Sequence, residues 1–307
     1  MNVLLAGATG AIGRPLIRRL KDAGHAVFGL ARSPESARTL VEARAGAIAA
    51  DLLNAPAVRA AIVRIRPEAV INELTSLPRH YSETDMKAAA PRDYKIRTEG
   101  NRNLLAPLAE AGVRRYILQS SGFWYAPGKG LADESENFAF EASPTISAGA
   151  RTYAELESAA SRTAGIECVV LRYGFFYGPG TWYCSDGDMG DRVRSQLVPV
   201  IGKGEGVWSW VHIEDAAAAT VAALECAPGA YNVVDSDPTP QQVCLLAFAR
   251  AIGAEEPPHI TEQQALDSYG ADRVYYATRL RGASNAKAKR DLHFQPRPLE
   301  WLRQTRK

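Results

Sequence analysis

Three glycines spaced Gly7-x-x-Gly10-x-x-Gly13 stand between an apolar run (Val3, Leu4, Leu5, Ala6) and a helical pattern carried by Ile12, Leu16, Ile17 and Leu20. Strand, tight turn and helix in that order aim backbone N–H groups and a helix N-terminus at an anion. The diphosphate of a dinucleotide is the ligand that this spacing suits. Gly7 allows the sharp turn, Gly10 lets the backbone approach the phosphates, and Gly13 lets the helix pack on the strand. Thr9, Ala11 and Ile12 complete the turn and join the expected contacts. After the second apolar run the chain reads Ala31-Arg32-Ser33, with no Asp or Glu to accept hydrogen bonds from an NAD ribose. Arg32 instead offers a bidentate partner to a 2′-phosphate, Ser33 adds a donor, and Arg14 can close over the same group. The expected cofactor is NADP(H), with NAD(H) as the alternative.

Trp124, Tyr125, Phe175, Phe176, Tyr177, Trp182 and Tyr183 crowd a second region. Phe175 and Tyr177 read as core, while Trp182 and Tyr183 lie in a Gly/Pro/Asp-rich loop where a packing role is less natural. With Trp124 and Tyr125 they are the expected substrate contacts, suited to a planar or apolar guest. Arg192, Arg194 and Lys203 are available for a sugar-nucleotide diphosphate, which ranks second. Asp186, Asp188 and Asp191 lack the spacing of a metal loop, and His212 reads as structural. Cys168, Cys184, Cys226 and Cys244 show neither paired spacing nor a His partner, so they read as free thiols, and no metal is expected.

These residues need a scaffold, and the chain describes one. Strand-like segments at His25–Ala31, Ala47–Ala50, Ala69–Asn72, Arg115–Ser121 and Glu167–Gly174 alternate with helical segments, including Ala88–Ala111 and Arg151–Ala164. Alternation of this kind means an α/β fold of the Rossmann type, a doubly wound parallel sheet covered on both faces. The expected division is a dinucleotide-binding domain over 1–173 and a smaller C-terminal substrate-binding lobe over 174–307, with interleaved segments. The 307 residues, 46% apolar and 23% charged with a net charge of +2, describe an ordinary globular protein. That charge gives no footprint for nucleic acid or an anionic membrane. No run is long enough to span a bilayer, and the glycine turn comes too early for a signal peptide, so the expected address is cytoplasmic.

The chain resembles the extended short-chain dehydrogenase/reductase superfamily, of the NAD(P)-dependent epimerase/dehydratase type, over nearly its whole length. The resemblance rests on the glycine turn, Asp51-Leu52, RTEGNRNLLAPLAEAGVRRYILQSSGFWY, LRYGFFYGPG, VWSWVHIEDAAAATVAAL and SNAKAKRDLHFQPR, in the family's order. It implies that Asp51 and Leu52 meet the adenine and that Leu74, Thr75 and Ser76 run under the ribose and diphosphate. It also implies that Ser120 lies near the nicotinamide, with Tyr173, Phe175 and Phe176 on its other side. Ser121, four residues before Tyr125, takes the place of the serine that holds a substrate oxygen. Family members dimerise through two helices, here Ala88–Ala111 and Arg151–Ala164, so a homodimer is expected by analogy.

The chain departs from the family at its usual Tyr-x-x-x-Lys pair, in which the lysine lowers the tyrosine pKa. Aligned on Glu157, Gly149 stands in the tyrosine's place and Tyr153 in the lysine's. Taken instead as the acid, Tyr153 has Glu157 one turn on, a carboxylate that raises a phenol pKa. The reading is an NADPH-dependent oxidoreductase acting on a carbonyl or comparable unsaturated group of a small metabolite, with an aromatic one among the candidates. Ser121 orients the reacting oxygen, and Tyr153, another tyrosine or water supplies the proton. A redox-neutral epimerase, dehydratase or isomerase and a non-catalytic NADP(H)-binding regulator stay open as alternatives.

Overall fold

The computed structural model describes residues 1–78 and 80–303. Its first half runs β1 (Asn2–Ala6), α1 (Gly13–Asp22), β2 (Ala26–Ala31), α2 (Pro34–Glu42), β3 (Gly46–Ala49), α3 (Ala55–Ile65), β4 (Ala69–Asn72), α4 (Glu83–Leu105), α5 (Leu108–Ala111), β5 (Arg115–Ser121), α6 (Pro144–Ser161) and β6 (Glu167–Tyr173). Local chemistry sets several of these boundaries. Ser33 and Asn54 accept backbone N–H groups at the starts of α2 and α3, each followed by a proline in the first turn. The single helix expected over Ala88–Ala111 is two, broken at Ala106-Pro107, because proline has no N–H to continue the ladder. The helix expected over Arg151–Ala164 starts earlier, at Pro144.

Beyond Gly174 the chain forms β7 (Phe175–Tyr177), α7 (Asp188–Arg194), β8 (Val200–Ile201), β9 (Val207–Trp208), β10 (Trp210–His212), α8 (Ile213–Ala222), β11 (Gly229–Val233), β12 (Thr239–Pro240), α9 (Gln241–Ala251), β13 (His259–Ile260), α10 (Glu262–Tyr269), α11 (Ala271–Thr278), α12 (Ala286–Asp291) and α13 (Glu300–Arg303).

Seven strands make one parallel sheet in the order β11-β6-β5-β4-β1-β2-β3. The winding direction changes between β1 and β4, which opens the crevice where α/β sheets bind ligands. One face carries Leu16, Ile17 and Leu20 of α1 against Ala216 and Ala219 of α8. The other carries Val58 and Ile62 of α3, Leu104 of α4, and Leu156 and Ala160 of α6. Val3, Leu4, Leu5 and Ala6 are fully buried, which explains why β1 is apolar on both faces. A separate aromatic core, including Tyr177, Trp208, Trp210, Phe248 and Trp301, fills the lobe built after residue 174. No helix among the described residues is long and apolar enough to cross a membrane.

Candidate active site

The glycine turn has the geometry of an anion cradle. Gly7 sits at φ +86°, and a Cβ there would strike the Glu73 carbonyl; a Cβ on Gly13 would strike that of Ala8. Gly10 N–H donates to the Gly7 carbonyl at 2.9 Å and Gly13 N–H to that of Gly10 at 3.1 Å, which shapes the turn. Thr9, Gly10 and Ala11 are exposed, while Ile12 and Gly13 are buried. The helix α1 has no side-chain cap and no acidic residue in its first turn, so its positive end faces outward uncompensated. These features fit a dinucleotide diphosphate.

Arg14 and Arg32 are exposed, and neither forms an ion pair among the described residues. Ser33 is half-buried, and its hydroxyl accepts the Ser36 N–H at 3.2 Å as the cap of α2. Asp51 is exposed and accepts the Leu53 N–H; the Leu52 carbonyl takes Asn103 Nδ2 at 2.7 Å. Leu74 is buried, and the Ser76 N–H is tied to Asp93 of α4 at 2.5 Å, with exposed Thr75 between them.

Strands β5 and β6 run in register, Ser121 opposite Tyr173, so their alternating side chains serve two different tasks. Ser120 faces α6 and donates to Glu157 Oε1 at 2.5 Å. Arg172 grips the same carboxylate with two hydrogen bonds, 2.9 and 2.7 Å, and also donates to the Tyr125 hydroxyl. This buried network corrects two expectations. Tyr125 is 1% exposed and donates to Asn232 at 2.6 Å, so it is held inside the fold and does not face a guest. The Ser120 hydroxyl is likewise committed to an internal ion pair. Ser121 points to the other face, 2% exposed, and its Oγ has no hydrogen-bond partner among the described residues. A buried hydroxyl without a partner is costly, and its position at a strand end beside the crevice makes it available to a ligand.

Helix α6 shows what became of the missing pair. A Cβ on Gly149 would run into the six-membered ring of Trp124. Trp124 lies on the bare backbone where the family's tyrosine would stand, and its Nε1–H donates to the Tyr276 hydroxyl at 3.0 Å. The Tyr153 ring lies 5.6 Å from the Trp124 ring, and the Arg97 guanidinium is 5.1 Å from its centroid. Burial pushes the Tyr153 phenol upward, opposed by Arg97 and reinforced by Asp93, Glu73 and Glu157. As a proton donor near neutral pH it is therefore weaker than an ordinary tyrosine.

Glu73, one residue past β4, is a group that sequence reasoning missed. It is 3% exposed, and burial pushes its carboxyl up to about 8, opposed by a hydrogen bond from Tyr173 and the charge of Arg97. The Tyr173 hydroxyl lies 3.0 Å from Glu73 Oε1 and 2.6 Å from Thr220 Oγ1, and Thr220 in turn donates to the Ala216 carbonyl. The Tyr173 hydroxyl donates to Glu73 Oε1, the direction that opposes the upward push of burial. The second oxygen, Oε2, has no partner among the described residues.

Aromatic rings wall the lobe side. Phe175 stacks on Phe123 at 4.1 Å and on Trp208 at 4.7 Å; Phe176 packs on Tyr173 at 5.2 Å. Trp182 meets Tyr81 edge-on at 5.0 Å. Tyr183, expected to face a guest, leans on Trp210 at 4.7 Å as part of the lobe's packing. His212 accepts the Glu214 N–H at the start of α8 and packs on Tyr177, a structural task. Among the described residues no group of His, Cys, Asp and Glu could hold a metal ion.

Comparison with known proteins agrees with this geometry. The sequence profile of the NAD dependent epimerase/dehydratase family matches residues 3–233. The chain is 38% identical over 310 residues to a 3-diazoavenalumate denitrifying reductase of Streptomyces sp, covering 98% of each chain. It is 26% identical to a 2-alkyl-3-oxoalkanoate reductase of Stenotrophomonas maltophilia, covering 92% of this chain and 86% of that one. Its fold is similar to that of UDP-glucose 4-epimerase from Thermus thermophilus, solved in complex with NAD. There the TM-score is 0.72 at 24% identity, with 98% of this chain and 96% of that one covered.

Proposed function

The chain belongs to the NAD dependent epimerase/dehydratase family and is an NAD(P)-dependent oxidoreductase of the short-chain dehydrogenase type; from that premise we propose that it is an NADPH-dependent reductase of a small aromatic metabolite whose reducible group is a diazo group. The observation that carries this is the Trp124 ring lying on Gly149, with Tyr153 pushed upward beside it. The place from which the family delivers a proton has been filled with an apolar surface. Bound on the glycine turn, the reduced dinucleotide supplies a hydride, which alone balances Ar–N₂⁺ + H⁻ → Ar–H + N₂, whereas reducing a carbonyl to an alcohol needs a proton as well. A site without the proton-delivering pair suits the first reaction. The relative that acts on 3-diazoavenalumate supports the same reading.

In this reading Gly7, Thr9, Gly10, Ala11, Ile12 and Gly13 hold the diphosphate, and Arg32 with Arg14 selects the 2′-phosphate. Ser33 contributes as the cap that fixes the loop beside Arg32. Asp51 and Leu52 border the adenine, Leu74, Thr75 and Ser76 the ribose, and Tyr173, Phe175 and Phe176 the nicotinamide. The free Ser121 hydroxyl orients the substrate, and Trp124 and Trp182 cover the ring. A homodimer through α4 and α6 and a cytoplasmic address complete the proposal.

The Glu73–Tyr173–Thr220 chain favours a second reading, a carbonyl reductase in which the protonated carboxyl is the acid, as a 2-alkyl-3-oxoalkanoate reductase among the relatives also suggests. The deciding experiment mixes enzyme and NADPH with arenediazonium salts, quinone diazides and aromatic ketones, and enzyme and oxidised cofactor with a sugar nucleotide. Cofactor oxidation is followed by absorbance, nitrogen release by mass spectrometry. Nitrogen evolved in step with NADPH oxidation supports the diazo reading. Alcohol formed from the ketones with no reaction of the diazo compounds selects the carbonyl reading, and rearrangement of a sugar nucleotide without net oxidation removes both.

A further inference from the structure

Arg97 of α4 is a buried cation to which the reactions above assign no task. Its side chain is 10% exposed, and its Nε–H donates to Asp93, one turn earlier, at 2.6 Å. Asp93 is itself fixed, because its other oxygen takes the Ser76 N–H at the end of the β4 loop. No hydrogen bond to a described residue uses the Nη1 or Nη2 group of Arg97. The four N–H donors of Nη1 and Nη2 are therefore left without a partner among the described residues, at the exposed edge of an otherwise enclosed guanidinium where an anion can meet them.

The placement says where that anion would lie. The guanidinium sits 5.1 Å from the centroid of Tyr153, which stands on α6 at the position where the family has its lysine. A positive charge thus reaches the region of the missing lysine from the neighbouring helix. Around it, Asp93 is the paired carboxylate, Glu73 is held in its neutral form, and Tyr153 is a neutral phenol. Arginine keeps its charge at every relevant pH and cannot act as a proton donor. It is suited to neutralising an oxyanion, and its fork matches a carboxylate or phenolate.

We propose that the Arg97 guanidinium is the binding site for an anionic oxygen of the substrate, a phenolate or carboxylate carried on its aromatic ring. The role in turnover rests on the reductase reading: reduction of a quinone diazide leaves a phenolate, and Arg97 stabilises the charge that collects on that oxygen. The binding itself does not need that reading. Arg97 thereby sets specificity for anionic aromatics over neutral ones.

The test uses the full-length protein saturated with NADP⁺ and 4-nitrophenol as probe, whose anion is coloured. Wild type is expected to bind the anion and raise its ionised fraction at constant pH. Arg97→Gln is expected to weaken binding by roughly tenfold to a hundredfold, the loss of one charge-assisted contact. Arg97→Lys keeps the charge and is expected to restore most of the affinity. The uncharged 4-nitroanisole is expected to bind wild type and Arg97→Gln equally, which separates lost charge from a damaged fold. Unchanged nitrophenolate binding in Arg97→Gln would overturn the proposal. So would a weakened grip on NADP⁺ with the probe unaffected, since the anion would then belong to the cofactor. If wild type reduces none of the diazo or carbonyl compounds while nitrophenolate binding still follows Arg97, the reductase reading fails and the anion site stands.

Discussion

Replacing Glu73 by glutamine tests whether the folded protein holds this carboxyl protonated. The folded chain keeps the proton up to about 8, while an exposed glutamate releases it near 4.5. The difference corresponds to about 5 kcal/mol, as an order of magnitude. Its sign is fixed by linkage. Stability from this group is fully present below about pH 4.5, falls by about 1.4 kcal/mol per pH unit as the unfolded chain alone loses its proton, and levels off above about pH 8. Glutamine does not titrate, and its amide oxygen can accept from Tyr173 as Glu73 Oε1 does. Its additional N–H costs about 1 to 3 kcal/mol at every pH. The variant is therefore expected to be less stable than wild type near pH 5 and more stable near pH 8 (both approximate). Urea unfolding followed by tryptophan fluorescence across this range, at constant salt, measures both curves. Asp235, whose carboxyl burial pushes up to about 6, contributes to both proteins, so their difference isolates Glu73. Two curves falling in parallel would refute the reasoning.

Four further outcomes follow from the site. Arg32→Ala is expected to raise KM for NADPH by roughly tenfold and leave KM for NADH nearly unchanged, since a lost phosphate contact is a lost charge-assisted bond; equal effects on both cofactors would remove the NADP assignment. Gly149→Tyr, which restores the family's residue, is expected to lower stability by about 1 to 3 kcal/mol in thermal unfolding, because the Trp124 ring occupies the space, and a stable variant with new carbonyl reductase activity would contradict this packing. Ser121→Ala is expected to reduce kcat/KM by roughly a hundredfold or more through loss of one donor, with stability to unfolding equal or higher because the buried hydroxyl has no partner among the described residues. Glu157→Gln is expected to cost about 3 kcal/mol or more of stability by leaving Arg172 buried and unpaired, while NADPH affinity measured on the folded fraction stays at the wild-type value.

The sequence by itself determined the sheet and the cradle. The glycine spacing, the apolar runs and the helical periodicity are local signals, each readable within about a dozen residues. The strands at Ala69–Asn72 and Arg115–Ser121 appear at the expected residues. The departure from the family was legible too, since Gly149 and Tyr153 stand in plain view. What replaced the lost pair was decided only by tertiary structure. Trp124 and Gly149 are far apart in sequence, and no periodicity couples them. Strand alternation tells that Ser120 and Ser121 face opposite ways, but only the packing of α6 tells which face meets Glu157. Glu73 carried one hint, a carboxyl directly after a fully buried strand. Arg97 carried none, because it lies among other charged residues on a long helix, and its burial depends on α4 packing against α6. A charge acquires chemistry from its partners and its dielectric surroundings, and both are set by contacts between segments that the linear order keeps apart.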